Sequence, residues 1–211
     1  MFLRASFKRS DEKRDAGLAT PDDIKRFDTI QYGPDPVWNV LDVYRPKSEE
    51  GKLPVIVSVH GGGWVYGDKE RYQYYCMSLA QHGFAVVNFT YRLAPKHKFP
   101  ASVEDTNSVF SWVLENADTY GFDPEAVFAV GDSAGAHNLA IYSCICTNPD
   151  YASVFPFLVP DGFKPRAVAL NCGVYRMQKS KKKDLTTLLM ADFMPHKGTE
   201  EEMKLVSPIN Y

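Results

Sequence analysis

Two short segments of this 211-residue chain have the residue types and spacing for nucleophilic chemistry. The first is Gly131-Asp132-Ser133-Ala134-Gly135, a serine with a glycine two positions away on either side. A serine at the tip of a sharp strand-to-helix turn is held in a strained backbone conformation that projects its hydroxyl. The flanking positions must then be almost free of side chains, because strand and helix come close there. Ser133 is the candidate nucleophile on these grounds. The second segment is His60-Gly61-Gly62-Gly63-Trp64. Consecutive glycines leave their N–H groups unscreened, and such donors can stabilise the oxyanion of a tetrahedral intermediate, an effect worth about 3–4 kcal/mol per donor. Gly62 and Gly63 are the candidate donors, acting with the N–H of Ala134 at the positive end of the helix after Ser133. A phosphate loop would need a Lys-Ser/Thr pair after the glycines, and Trp64-Val65-Tyr66 supplies none.

The surrounding pattern is the one such residues require. Val55-Ile56-Val57-Ser58-Val59 is a continuous apolar run of the kind buried on both faces, and Phe84 to Phe89, Ala126 to Val130 and Ala167 to Asn171 resemble it. Helical stripes lie between. Tyr72, Tyr75, Cys76, Leu79 and Ala80 share one face; Val103, Thr106, Asn107, Phe110, Val113, Leu114 and Ala117 form a second stripe; a third helix is predicted from Ser133 to about Cys146. Strand alternating with helix predicts βαβ units and an α/β architecture: a mostly parallel sheet with helices on both faces. Ahead of it, Thr29 to Tyr32 and Val40 to Tyr44 flank Gly33-Pro34-Asp35-Pro36, which predicts an N-terminal antiparallel hairpin. The expected division is an N-terminal arm at 1–28 that can belong to a cap, a core at 29–172, and a cap-like insertion of short helices at 173–211.

Composition bounds the function. With 45% hydrophobic and 24% charged residues the chain reads as one globular domain, and a net charge of −2 gives no reason to expect nucleic acid or a membrane as partner. The run Lys179-Ser180-Lys181-Lys182-Lys183 reads as a solvated face. Cys76, Cys144, Cys146 and Cys172 lack the spacing of a zinc site and have apolar neighbours, so reduced, buried thiols are expected, with no metal and no cofactor. The start, Met1-Phe2-Leu3-Arg4, is too short an apolar stretch for a secretory signal, and a cytoplasmic location is the default. Oligomeric state stays open.

His60–Trp64, Tyr91-Arg92-Leu93-Ala94-Pro95 with Phe99-Pro100-Ala101, and Gly131–Gly135, in this order, resemble the hormone-sensitive-lipase-like esterases of the α/β-hydrolase fold and the related bacterial acetyl and feruloyl esterases. The resemblance runs from about Leu41 to Val174. It implies Ser133 as nucleophile, Gly62, Gly63 and Ala134 as the oxyanion hole, and hydrolysis of small carboxylic esters through an acyl-enzyme, on short acyl chains, with acetylated or feruloylated carbohydrate as one candidate substrate class. Lys96 and Ala136 depart from the pattern, where glutamate and glycine are usual. Trp64 and Tyr175 are candidate substrate-pocket residues, each with a packing role as the alternative.

In this fold the acid and the histidine follow the serine on loops after later strands. The chain reaches Ser207-Pro208-Ile209-Asn210-Tyr211 and stops, so the C-terminal strands are expected to be missing and the chain to be a fragment without its triad acid and base. Of the five histidines, His60 belongs to the glycine loop, His82 to a helix end and His97 to a loop. His137 is expected to miss the hydroxyl, and His196, near Asp192, is the nearest stand-in. Asp132 is expected to give structural support, and Glu104 and Asp105 to reach loop backbone or Arg92. A non-catalytic binding module derived from an esterase, or an inactive truncated product, is the alternative.

Overall fold

The computed structural model describes residues 2–178 and 184–211; the basic run at 179–183 lies outside them. Among the described residues one sheet holds β1 (Ile24–Gln31), β2 (Val40–Pro46), β3 (Leu53–Val59), β4 (Ala85–Phe89), β5 (Phe122–Asp132) and β6 (Val168–Asn171), in the spatial order β1-β2-β4-β3-β5-β6. β2 is antiparallel to both β1 and β4, while β4, β3, β5 and β6 run parallel. The mostly parallel sheet with its antiparallel N-terminal hairpin is therefore as expected.

Two boundaries differ. β1 begins at Ile24, five residues before the predicted start at Thr29, because Ile24 to Phe27 pair with Pro46 to Val43 ahead of an irregularity. β5 begins at Phe122, since Phe122 pairs with Leu53 before a register shift around Asp123–Glu125.

Period-two alternation sorts the side chains between the faces. Val55, Val57 and Val59 of β3 join Ala85, Val87 and Phe89 of β4 in the larger core cluster. That cluster is covered by α3 (Ala101–Glu115), through Val109, Phe110 and Val113, and by α5 (Ala134–Thr147), through Leu139 and Tyr142. Each such fully buried side chain contributes about 1.5–3 kcal/mol. The opposite face packs Tyr44 and Val86 under Cys76, Met77 and Ala80 of α2 (Gln73–Ala80). Tyr75, expected on the inner face of that helix, is 44% exposed, and Met77 takes its place.

Most of the remaining helices are short. α4 (Ala117–Tyr120) ends at Gly121, whose φ of 67° turns the chain into β5. α6 (Pro149–Ala152) follows α5, and α7 (Leu185–Phe193) and α8 (Glu200–Leu205) occupy the predicted insertion. α8 starts with a reciprocal cap between Thr199 and Glu202. The N-terminal arm contains a helix, α1 (Phe2–Asp15). Among the described residues no helix is long and apolar enough to cross a membrane, and no cluster of His, Cys, Asp and Glu is suited to a metal. The four thiols are free, but only Cys76 is buried: Cys144 and Cys146 are half-buried, and Cys172, just past the last residue of β6 with φ at 52°, is exposed.

Candidate active site

β3 and β5 are neighbours, with Val59 opposite Gly131, so the loop after one strand and the crossover after the other must meet at the same sheet end. Ser133 occupies that crossover with φ 51° and ψ −110°. A non-glycine residue there stores on the order of 1–3 kcal/mol of strain, and the surroundings must hold it. They do so through Ser133 N–H, which donates to Asn171 O at 2.8 Å, and Ser133 O, which accepts from His137 N–H at 3.0 Å to open α5. The flanking glycines are required by contact. A Cβ at Gly131 would stand 2.6 Å from the Gly135 carbonyl carbon, and one at Gly135 would stand 2.0 Å from Val59 O.

The glycine loop is a tight turn in which Gly62 O accepts from Val65 N–H at 3.2 Å and Tyr66 N–H at 3.0 Å. Gly62, Gly63 and Trp64 all have positive φ, at 124°, 60° and 62°. The N–H groups of Gly62, Gly63 and Ala134 donate to no other described group. Gly62, Gly63 and Ser133 line one cavity of about 320 Å³, together with Phe7 and Asp11 of α1 and Leu189 of α7. α1 is held there by Tyr66 Oη–H donating to Asp11 Oδ2 at 2.7 Å and by Arg14 Nη2 donating to Arg71 O at 2.6 Å. The arm at 1–28 and the insertion at 173–211 were both candidates for a cap, but their polar or weakly patterned sequences singled out no residue, so Phe7, Asp11 and Leu189 were not named as lining the site.

Trp64 and Tyr175 do not line this cavity. The positive φ of Trp64 directs its ring into a second core cluster, where it stacks on Phe193 at 4.7 Å between centroids and its Nε1–H donates to His137 Nδ1 at 3.2 Å. Tyr175 folds back on its own loop, donating to Leu170 O at 3.2 Å. As cavity walls they are replaced by Phe7 and Leu189.

The histidines are placed away from base duty at Ser133. His60 is fully buried, bonded through Nδ1 to Gly61 O at 2.7 Å and stacked 4.0 Å over Tyr91. His137 is also buried, and its Nε2–H donates to Val206 O at 2.7 Å while Nδ1 accepts from Trp64. His196 is exposed and pairs with Glu202 at 3.0 Å. No hydrogen bond joins any of these rings to the Ser133 hydroxyl among the described residues. Glu104 and Asp105 both bind Arg92, at 2.8 and 2.9 Å. Asp132 accepts at Oδ2 from Tyr72 Oη–H at 2.7 Å.

Burial pushes both His60 and His137 down to about 4 from an ordinary value near 6.5, so both are neutral at pH 7. The unfolded chain therefore binds up to two more protons than the folded one between pH 6.5 and 4, and stability falls as pH is lowered through that window. Urea denaturation at pH 7 and pH 5 should show a loss of up to about 4 kcal/mol from these two rings. Equal midpoints at the two pH values would contradict it.

Comparison with known proteins gives the chain a family and a fold. The family model of BD-FAE matches residues 41–211. Versiconal hemiacetal acetate esterase of Dothistroma septosporum is 39% identical over 94 residues, 44% of this chain and 29% of that protein. Esterase LipC of Mycobacterium tuberculosis is 34% identical over 129 residues, 60% of this chain and 32% of its own length. The matched region thus spans about a third of these curated relatives. Esterase B of Lactobacillus rhamnosis superposes with a TM-score of 0.86 at 26% identity, over 99% of this chain and 70% of that one. From residue 41 onward, through glycine loop and serine crossover alike, the chain belongs to the BD-FAE family and has the α/β-hydrolase fold of the hormone-sensitive-lipase-like esterases.

Proposed function

We propose that this chain carries the nucleophile and oxyanion site of a carboxylic ester hydrolase that forms an acyl-enzyme on Ser133. The observation that carries this reading is the shared cavity. Ser133, held at φ 51°, lines the same hollow as Gly62 and Gly63, whose amide hydrogens have no described partner. Attack by Ser133 Oγ on the ester carbon passes the hydroxyl proton to a water molecule and moves the carbonyl electron pair onto oxygen. The amides of Gly62, Gly63 and Ala134 receive that charge. Collapse expels the alcohol with a proton, and water repeats the sequence on the acyl-serine.

The cavity of about 320 Å³, lined by Phe7 and Leu189 beside the serine, suits short acyl groups. The relatives named above as esterases support the same chemistry, and Esterase B has been trapped with a tributyrin phosphonate. The rings of His60, His137 and His196 are all engaged elsewhere, so turnover by these 211 residues is expected to be slow while acylation depends on Ser133. The same placement of the histidines favours, as a second reading, a binding module that retains the site without turning over.

The test is incubation with nitrophenyl acetate, butyrate and ferulate, followed by peptide mass mapping. An acyl group on the Ser133 peptide, absent from Ser133→Ala, is the expected result. Acyl transfer to another residue, or equal nitrophenol release by both chains, would overturn the first reading. Binding of the esters without any adduct would support the second.

A further inference from the structure

Tyr72 was legible only as part of an apolar helix face, yet its hydroxyl stands between the two motifs. It donates to Asp132 Oδ2 at 2.7 Å and accepts from Gly61 N–H at 3.1 Å. Asp132 adjoins Ser133, and Gly61 opens the run of glycines whose next two residues line the cavity. One phenol oxygen therefore joins the serine crossover to the glycine loop.

The fit is close. A Cβ on Gly61 would stand 2.8 Å from Asp132 Oδ2 and 2.9 Å from the Tyr72 hydroxyl, and Gly61 lies outside the positive-φ region, so contact with this pair is what excludes a side chain there. Tyr72 is itself fixed from behind: its ring packs against the core cluster under α2, and its carbonyl accepts from Cys76 N–H at 2.9 Å. Burial and the neighbouring carboxylate raise the phenol above its ordinary value, which keeps the proton on Tyr72 and its donor role intact across neutral pH.

The geometry points to Tyr72 as a positioning residue for the oxyanion hole: its hydroxyl, clamped between Asp132 and Gly61, sets the distance between Ser133 Oγ and the amides of Gly62 and Gly63. Two effects follow, one electrostatic and one mechanical. The carboxylate of Asp132, which would oppose a negative charge developing beside Ser133, is tied to a donor on the Tyr72 side. The glycine loop, otherwise free to shift its amides, is pinned at its first residue. Preorganised donors are effective only when they need not move during reaction, so loosening the clamp should slow bond formation at Ser133 without weakening binding.

This inference rests on Ser133 being the nucleophile, and the experiment separates the two. The full chain is treated with a short-chain alkyl nitrophenyl phosphonate, and the binding constant and the maximal labelling rate at Ser133 are measured for wild type, Tyr72→Phe, Asp132→Ala and the double variant. Tyr72→Phe removes one oxygen and keeps the ring. It is expected to lower the labelling rate about tenfold with the binding constant unchanged; Asp132→Ala, which breaks the clamp but also removes the opposing charge, should lower it severalfold, and the double variant no further than Tyr72→Phe alone. Amide hydrogen exchange supplies a readout independent of labelling: Gly61 N–H should exchange faster in Tyr72→Phe while the β3 amides keep their protection. Labelling within twofold of wild type, a change confined to the binding constant, additive losses, or unchanged exchange at Gly61 would overturn the clamp. Failure of the wild-type chain to label at Ser133 at all would instead overturn the nucleophile assignment, and the clamp's catalytic role with it.

Discussion

Gly62→Ala should slow phosphonate labelling of Ser133 by a hundredfold or more. A Cβ at this position would lie 2.0 Å from Tyr66 O and 2.6 Å from its carbonyl carbon, both backbone atoms of the same tight turn. The residue also has φ of 124°, where side chains are strained whatever space they have. The turn must open, and opening rotates the amides of Gly62 and Gly63 away from Ser133. Removing a single oxyanion donor reduces acyl-transfer rates by about 10²–10³. Gly62 itself contributes no side chain to the core, and Trp64 keeps its anchor on Phe193, so the fold should survive, with unchanged far-ultraviolet dichroism as the check. A labelling rate near that of wild type would show that these amides do not meet the reacting group.

Gly135→Ala should act on folding instead. Its Cβ would meet Val59 O at 2.0 Å and His60 O at 2.6 Å, the backbone of β3 at the mouth of the site. No rotamer relieves a backbone contact, so α5 would have to move off the strand it covers, taking Leu139 and Tyr142 with it. Overpacking of this kind destabilises by about 3 kcal/mol or more. Gly51→Ala is the matched control: nothing lies within 4 Å of its Cβ and its φ is unexceptional, so it should change stability by less than about 1 kcal/mol. Urea denaturation of both variants checks the pair, and equal midpoints would remove the close-packing explanation for the glycine two residues after Ser133.

The serine crossover and the glycine loop were legible in the sequence because their chemistry is local. Both depend on backbone conformations that only glycine spacing after a buried strand allows, and the strands carried their own continuous apolar signal. The edge of the sheet was less so. Lys25 and Arg26 break the apolar pattern of β1, since that strand covers the core on one side only, and Pro124 interrupts the reading of β5 although Phe122 is fully buried. The walls of the site depend on distant packing. Trp64 is large, aromatic and adjacent to the glycines, which made it a pocket residue by sequence; its positive φ turns it inward onto Phe193. Phe7 and Asp11 reach the cavity only because α1 lies across Tyr66 and Arg71, a contact with no local signature. Tyr72 escaped for a related reason: its ring obeys the apolar stripe, and only its oxygen does something else.

The most direct test of the site is the crystal structure of the chain after phosphonylation by a short-chain alkyl phosphonate. The adduct should sit on Ser133 Oγ, with the phosphoryl oxygen about 2.7–3.1 Å from the amide nitrogens of Gly62, Gly63 and Ala134. A phosphoryl oxygen turned to solvent, or bonded to side chains while those three amides stay apart from it, would contradict the account.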